Sequence, residues 1–271
     1  MLEILQYEFM RNALWAGLLI SIACGIIGAL VVVNRIVFIS GGIAHASYGG
    51  IGLAFFAGFS PNLGASLAAL VSALVMGLVS RGRKHRADTV IGVIWAVGMS
   101  AGIVLIDLTP GYNVDLMSYL FGSILMVPGR DLFFMASLNL IIFLLVFLFY
   151  KDFLAMSYDE EFALAMGVPV GSLYFLLLAM VAMTVVMTIQ VVGLILVIAL
   201  LTIPSYLAEK YTASLKSMMI WAVVISLIFT QTGIWLSFHL NLSTGATIVL
   251  VAAVFFFLSS LIPGRTSSSQ S

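Results

Sequence analysis

Charge is scarce in this sequence, with eleven Lys and Arg against eleven Asp and Glu in 271 residues, and the two signs cancel. A sparse, balanced charge set lacks the basic footprint of a nucleic-acid binder, so no nucleic-acid partner is expected. Cysteine is scarcer still: Cys24 stands alone, with no disulfide partner and no C-x-x-C pair for thiol chemistry. No G-x-x-x-x-G-K-[ST] run is present to cradle nucleotide phosphates, so any ATP-driven work falls to another chain. The H-E-x-x-H signature of zinc peptidases is missing too, and no catalytic residue is nominated. Nor is there the set of buried carboxylates of a proton-driven carrier: Asp107 and Asp115 belong near one membrane surface and Asp88 near the other.

What is abundant is apolar length. Hydrophobic residues make up 63% of the chain and mean hydropathy is +1.22, more apolar surface than a soluble globule of this size can hide. Uncharged apolar runs recur near Ala13–Val33, Val37–Gly58, Leu63–Ser80, Val90–Asp107, Leu132–Tyr150, Ser172–Thr188, Val191–Leu207, Ser217–Leu236 and Gly245–Leu261. Each approaches the length that a helix needs to cross a hydrocarbon core. The fold class is therefore all-α, a single polytopic membrane domain over 1–271 with about eight or nine transmembrane helices. The first run is too long for a signal-peptide core and is expected to be retained as a span.

Basic residues orient these spans. With the N-terminus outside, Arg35, Arg81, Arg83, Lys84, Arg86, Lys151, Lys210, Lys216 and Arg265 collect on the inner side, and only Arg11 and Arg130 fall outside. The basic inner loop holding His85 reads as a topology determinant that contacts anionic lipid. His239 lies near an outer helix end, and the fourteen Met residues form no recurring M-x-x-M cluster, so gap filling is their expected use. An outer segment, 109–131, contains an apolar stretch too short to cross, which predicts a segment lying at the outer interface or dipping back into it. On the inner side, Ser157-Tyr158-Asp159-Glu160 fits a capping box and Gly167 followed by Pro169 supplies a stop. The pattern predicts a short cytoplasmic helix over 158–168, with Asp159, Glu160 and Glu161 at its dipole-positive start.

One ionisable residue lies deep in a span: His45, in Ser40-Gly41-Gly42-Ile43-Ala44-His45-Ala46-Ser47-Tyr48-Gly49-Gly50-Ile51-Gly52. Helical spacing puts Gly41, His45, Gly49 and Gly52 on one stripe. Two readings stay open: close helix packing by small residues, or a polar station on a permeation path where an imidazole nitrogen touches a metal ion. Pro204, inside the seventh run, frees the carbonyl of Leu200 and is either a hinge or a tolerated kink.

Several stretches together resemble a family. Ser40 to Ser47, Val114 to Gly122, Glu160 to Pro169, Val191 to Pro204 and Leu242 to Val251 look, in order along nearly the whole chain, like the permease subunits of zinc-, manganese- and iron-uptake ATP-binding-cassette transporters. The resemblance implies a cytoplasmic ATP-binding subunit, an extracellular or periplasmic metal-binding protein and a second permease copy, in a prokaryotic cytoplasmic membrane. The cargo is then a divalent transition metal, zinc or manganese first and iron third, with no permanently bound cofactor. The inner helix corresponds to the family's coupling helix, with Asp159, Glu160, Glu161, Ala165 and Gly167 facing the ATPase. His45 corresponds to a pathway histidine that touches the metal in transit. Relatives commonly carry acidic residues where this chain has Gly41 and Ser123, which removes hard oxygen ligands. Zinc handled by His45 and carbonyls, a metal chelate as cargo, or a pathway completed by a second, non-identical permease would each accommodate that departure. The competing reading is an autonomous secondary carrier or channel for a cation, which would favour internal repeats.

Overall fold

The computed structural model describes residues 6–82, 87–110, 122, 124 and 127–261. Among these the regular structure is all helix: α1 (Glu8–Val33), α2 (Val37–Ala57), α3 (Pro61–Gly82), α4 (Ala87–Asp107), α5 (Gly129–Leu148), α6 (Tyr150–Tyr158), α7 (Glu160–Ala165), α8 (Val170–Val192), α9 (Leu194–Tyr211), α10 (Leu215–Leu240) and α11 (Thr244–Ser260). Seven of them, α1 to α5, α8 and α10, are long and apolar enough to cross a bilayer. The two remaining predicted spans fall on α9, 18 residues interrupted by Pro204, and α11, an apolar helix of 17 residues.

Both boundaries of the fifth run differ from the sequence reading. The run expected to end at Tyr150 stops at Leu148, and after Phe149 (φ −100°, ψ 17°) a further helix, α6, continues through the charged residues Lys151 and Asp152. Main-chain bonding bridges the break, because Phe149 N donates to Leu145 O at 3.0 Å and Phe153 N to Phe149 O at 2.8 Å. Helical geometry thus outlasts the apolar run that signalled it. At the other end of the same span, Gly129, Arg130 and Asp131 form the first turn of α5 and do not belong to the outer segment. The rest of that segment, with Asp115 and Ser123, lies outside the described residues except for Gly122, Ile124, Val127 and Pro128 and its first two residues, Thr109 and Pro110. His85 with its basic neighbours, and Arg265, also fall outside them.

Helix α2 packs against both α3 and α4. α1 packs on α10, α9 and α5, while α8 closes against α3, α2 and α1, and α11 covers α10 and α9. Lipid and helix surfaces are equally apolar, so close approach and interhelical hydrogen bonds hold such an assembly together. Glycines permit the approach: a Cβ on Gly49 would stand 2.7 Å from the Gly98 carbonyl oxygen, and one on Gly52 or Gly50 would overlap the main chain at Gly102 or Gly64. Polar side chains tie further pairs. Ser21 Oγ and Thr230 Oγ1 lie 2.8 Å apart, and Asn139 Nδ2 and Gln231 Nε2 each donate over 3.1 Å, to the carbonyls of Leu19 and Leu14. The outward faces carry Val97, Phe133, Phe147 and Leu148, exposed as a lipid-facing surface requires.

Candidate functional site

His45 and Trp95 each stand eight positions beyond the first residue of their helices, Val37 of α2 and Ala87 of α4. Equal depth in two packed helices brings the rings together at a centroid distance of 4.0 Å with planes 14° apart. The imidazole is half-buried, and its Nδ1 is buried with no hydrogen-bond partner. A metal ligand uses an in-plane nitrogen lone pair, so a stacked indole steadies the ring without covering that edge. The apolar run that contains Trp95 begins only at Val90, so the equal depth of the two rings emerges only once α4 is seen to start at Ala87.

Gly41, one turn before His45, faces apolar groups: a Cβ there would lie 3.2 Å from Ile198 Cδ1 on α9 and 3.8 Å from Trp95 Cζ3. An acidic side chain at this position would displace Ile198. Gly49 and Gly52 belong to the seam with α4, so at these two the close-packing reading of the stripe holds. Among the described residues no three of His, Cys, Asp and Glu come together. A single imidazole can make a brief contact with a divalent ion but cannot enclose it.

The short helix expected over 158–168 is shorter than predicted and starts later. It spans Glu160–Ala165, and its N-cap is Asp159, whose Oδ1 accepts from Phe162 N at 2.9 Å. Ser157 is therefore not the cap. It lies in α6, where its hydroxyl accepts from Asn34 Nδ2 at 2.9 Å. Asp is as good a cap as Ser, and the one two residues later prevails because α6 holds Ser157 in helical backbone. Glu160 does not face a reciprocal amide but Arg81, with Nη2 and Oε1 3.8 Å apart. The stop is as the sequence suggests: Gly167 adopts φ +79° while Val168 N bonds Ala163 O and Gly167 N bonds Leu164 O, each at 3.0 Å, which is a Schellman closure. Ala163 turns inward, whereas Tyr158, Glu161, Phe162, Leu164, Ala165 and Met166 are exposed. These side chains stand exposed on or beside a helix of six residues, too short to cross a bilayer.

Pro204 is buried within α9, which continues helical to Tyr211. α1 presses on this turn, since a Cβ on Gly28 would overlap the Leu201 carbonyl and lie 2.6 Å from Ser205 Oγ. Gly122 has φ +65° and sits on the Val192–Gly193 main chain where α8 turns into α9. His239 is exposed in the last turn of α10, stacked on Trp235 at 5.6 Å.

Comparison with known proteins extends this picture over the whole chain. Residues 6–263 match the model of the ABC 3 transport family. A membrane protein of Synechocystis sp., of uncharacterised function, is 53% identical over 259 residues, covering 96% of this chain and 92% of the relative. A manganese transport system membrane protein of Halalkalibacterium halodurans is 33% identical over 94% of this chain and 88% of its own length. Among solved structures, PsaBC from Streptococcus pneumoniae in complex with Fab superposes with a TM-score of 0.86 at 31% identity, covering 96% of this chain and 94% of that one.

Proposed function

Since this chain belongs to the ABC 3 transport family, we propose that it is the permease subunit of an ATP-driven importer moving a divalent transition metal into the cytoplasm, manganese or zinc first and iron third. Cargo of this class is supported by the manganese transport relative, which matches over nearly its whole length. The observation that carries the reading is His45, a half-buried imidazole with an unpartnered nitrogen in an otherwise uncharged span. An ionisable group at membrane depth is expensive and marks a substrate path. One nitrogen ligand binds weakly, and weak ligation suits a pathway that must release its ion on each cycle. High affinity then belongs to an extracellular or periplasmic metal-binding protein that delivers the ion.

ATP hydrolysis is assigned to a separate cytoplasmic subunit, because the sequence has no phosphate-binding loop of its own. That subunit docks on the exposed face of α7 and its flanks, where Glu161, Phe162, Leu164, Ala165 and Met166 stand free of the helical body. Asp159 and Gly167 hold this helix in shape from its two ends. A second copy of the same chain completes the pathway, and bilayer lipid covers the apolar exterior. Purification of the chain from its native membrane in mild detergent tests the assignment. Recovery together with an ATP-binding protein and a metal-binding protein is expected. Recovery of this chain alone, under conditions that preserve comparable complexes, contradicts it.

A further inference from the structure

Two polar contacts fasten the cytoplasmic unit α6–α7 to the inner ends of the helices that carry and flank His45. In the first, Asn34 Nδ2, in the turn between α1 and α2, donates to Leu30 O at 2.8 Å and to Ser157 Oγ at 2.9 Å. The next residue, Arg35, turns the chain through φ +57° into α2. In the second, Arg81 in the last turn of α3 meets Glu160, the first residue of α7, over 3.8 Å. The same guanidinium lies 5.6 Å from the Tyr174 ring centre, and a Cβ on Gly171 would stand 3.2 Å from its Nη1, so α3, α7 and α8 converge on one side chain. α2 and α3 are in turn locked together at Gly50 and Gly64, where no side chain fits between the main chains.

We propose that Asn34–Ser157 and Arg81–Glu160 form a two-point clasp through which displacement of α7 is passed to the α2–α3 pair, and so to His45. Asn34 and Arg81 are positioning residues on this account. The clasp rests on the reading of α7 as the helix that receives the ATPase. An ion pair whose side chains are 36% and 50% exposed adds little to folding stability. Its value is directional: Arg81 presents a rigid fork held between a carboxylate and an aromatic face, so α7 cannot leave the end of α3 without breaking the pair or pulling α3 with it. Asn34 acts likewise, since one amide nitrogen donates both to the Leu30 carbonyl of α1 and to the Ser157 hydroxyl of α6.

Charge exchange tests the clasp. In proteoliposomes holding the complete complex, manganese uptake per ATP hydrolysed is measured for Arg81→Glu, Glu160→Arg and the double exchange. Each single variant is expected to lose about fivefold or more of this ratio, and the double exchange to return to within about twofold of wild type. Because Arg81 lies outside α7, rescue by its exchange is not explained by direct contact of Glu160 with the ATPase. Asn34→Asp, which abolishes both donations, is expected to lower the ratio in the same sense. Single variants with the wild-type ratio, or a double exchange as poor as the singles, overturn the clasp. If charge reversal prevents assembly, Arg81→Gln and Glu160→Gln are expected to lower the ratio, and an unchanged ratio in both overturns it. A wild-type complex that hydrolyses no ATP, or moves no metal, overturns the underlying functional reading instead.

Discussion

The rings of His45 and Trp95 lie face to face, 4.0 Å apart and within 14° of parallel, across the seam between α2 and α4. The contact gives the imidazole an orientation that its unpartnered Nδ1 does not supply. On the proposed pathway role of His45, the indole places an electron-rich face beside an imidazole that would gain positive character on touching a metal ion, offsetting part of what an acidic residue at Gly41 would contribute.

Trp95 should therefore matter to transport. An aromatic pair is worth about 0.5–1.5 kcal/mol beyond its buried area, so Trp95→Leu is expected to slow metal uptake between about twofold and tenfold, while Trp95→Phe retains most of it. Initial uptake rates at equal amounts of assembled complex check this. Equal rates for Trp95→Leu and wild type would remove Trp95 from the site.

Gly52 tests the glycine seam. A methyl group there runs into the main chain at Gly102, so Gly52→Ala is expected to lower stability by about 1–3 kcal/mol and depress the melting temperature in detergent. Gly82, at the end of α3, has nothing within 4 Å of the corresponding position, and Gly82→Ala is expected to be neutral or slightly stabilising.

Three substitutions probe the cytoplasmic helix. Asp159→Ala orphans the Phe162 amide at a cost of about 1 kcal/mol and should speed hydrogen exchange there. Gly167→Leu forces a side chain into φ +79°, a strain of roughly 1–2 kcal/mol that unsettles the end of α7. Glu161→Lys leaves the helix intact and reverses an exposed charge. Gly167→Leu and Glu161→Lys are expected to uncouple ATP hydrolysis from uptake without unfolding the chain, and normal uptake with normal metal-stimulated hydrolysis in both would contradict a coupling role for α7.

Pro204 separates hinge from kink. Pro204→Ala restores an N–H for the Leu200 carbonyl and should leave the melting temperature unchanged or raised. If the turn flexes during transport, uptake falls in the same variant. Unchanged uptake identifies a passive kink.

Most of the architecture could be read from the residues because a bilayer leaves few options. Apolar length alone located nine runs, and each falls on helix, the one over Val191–Leu207 being broken at Gly193 between α8 and α9. The readable signals ended where helix geometry outran hydropathy. Lys151 and Asp152 mark the end of an apolar run, yet the main chain turns once at Phe149 and stays helical to Tyr158, which moved the cap from Ser157 to Asp159. Of the candidate site, the sequence showed His45, an isolated ionisable group, but not its neighbours Trp95 and Ile198, nor Asn34. Those residues enter through contacts between distant segments, and no local pattern records that Gly41 faces Ile198 or that Arg81 faces Glu160.

The most direct measurement is ATP-dependent uptake of radioactive manganese and zinc into proteoliposomes that contain this chain with its ATPase and its metal-binding protein, for wild type and His45→Ala. The account predicts uptake by the wild-type complex that needs ATP and falls at least about tenfold in His45→Ala, a loss on the order of 1.4 kcal/mol in the limiting step. Uptake at the wild-type rate in His45→Ala would contradict it.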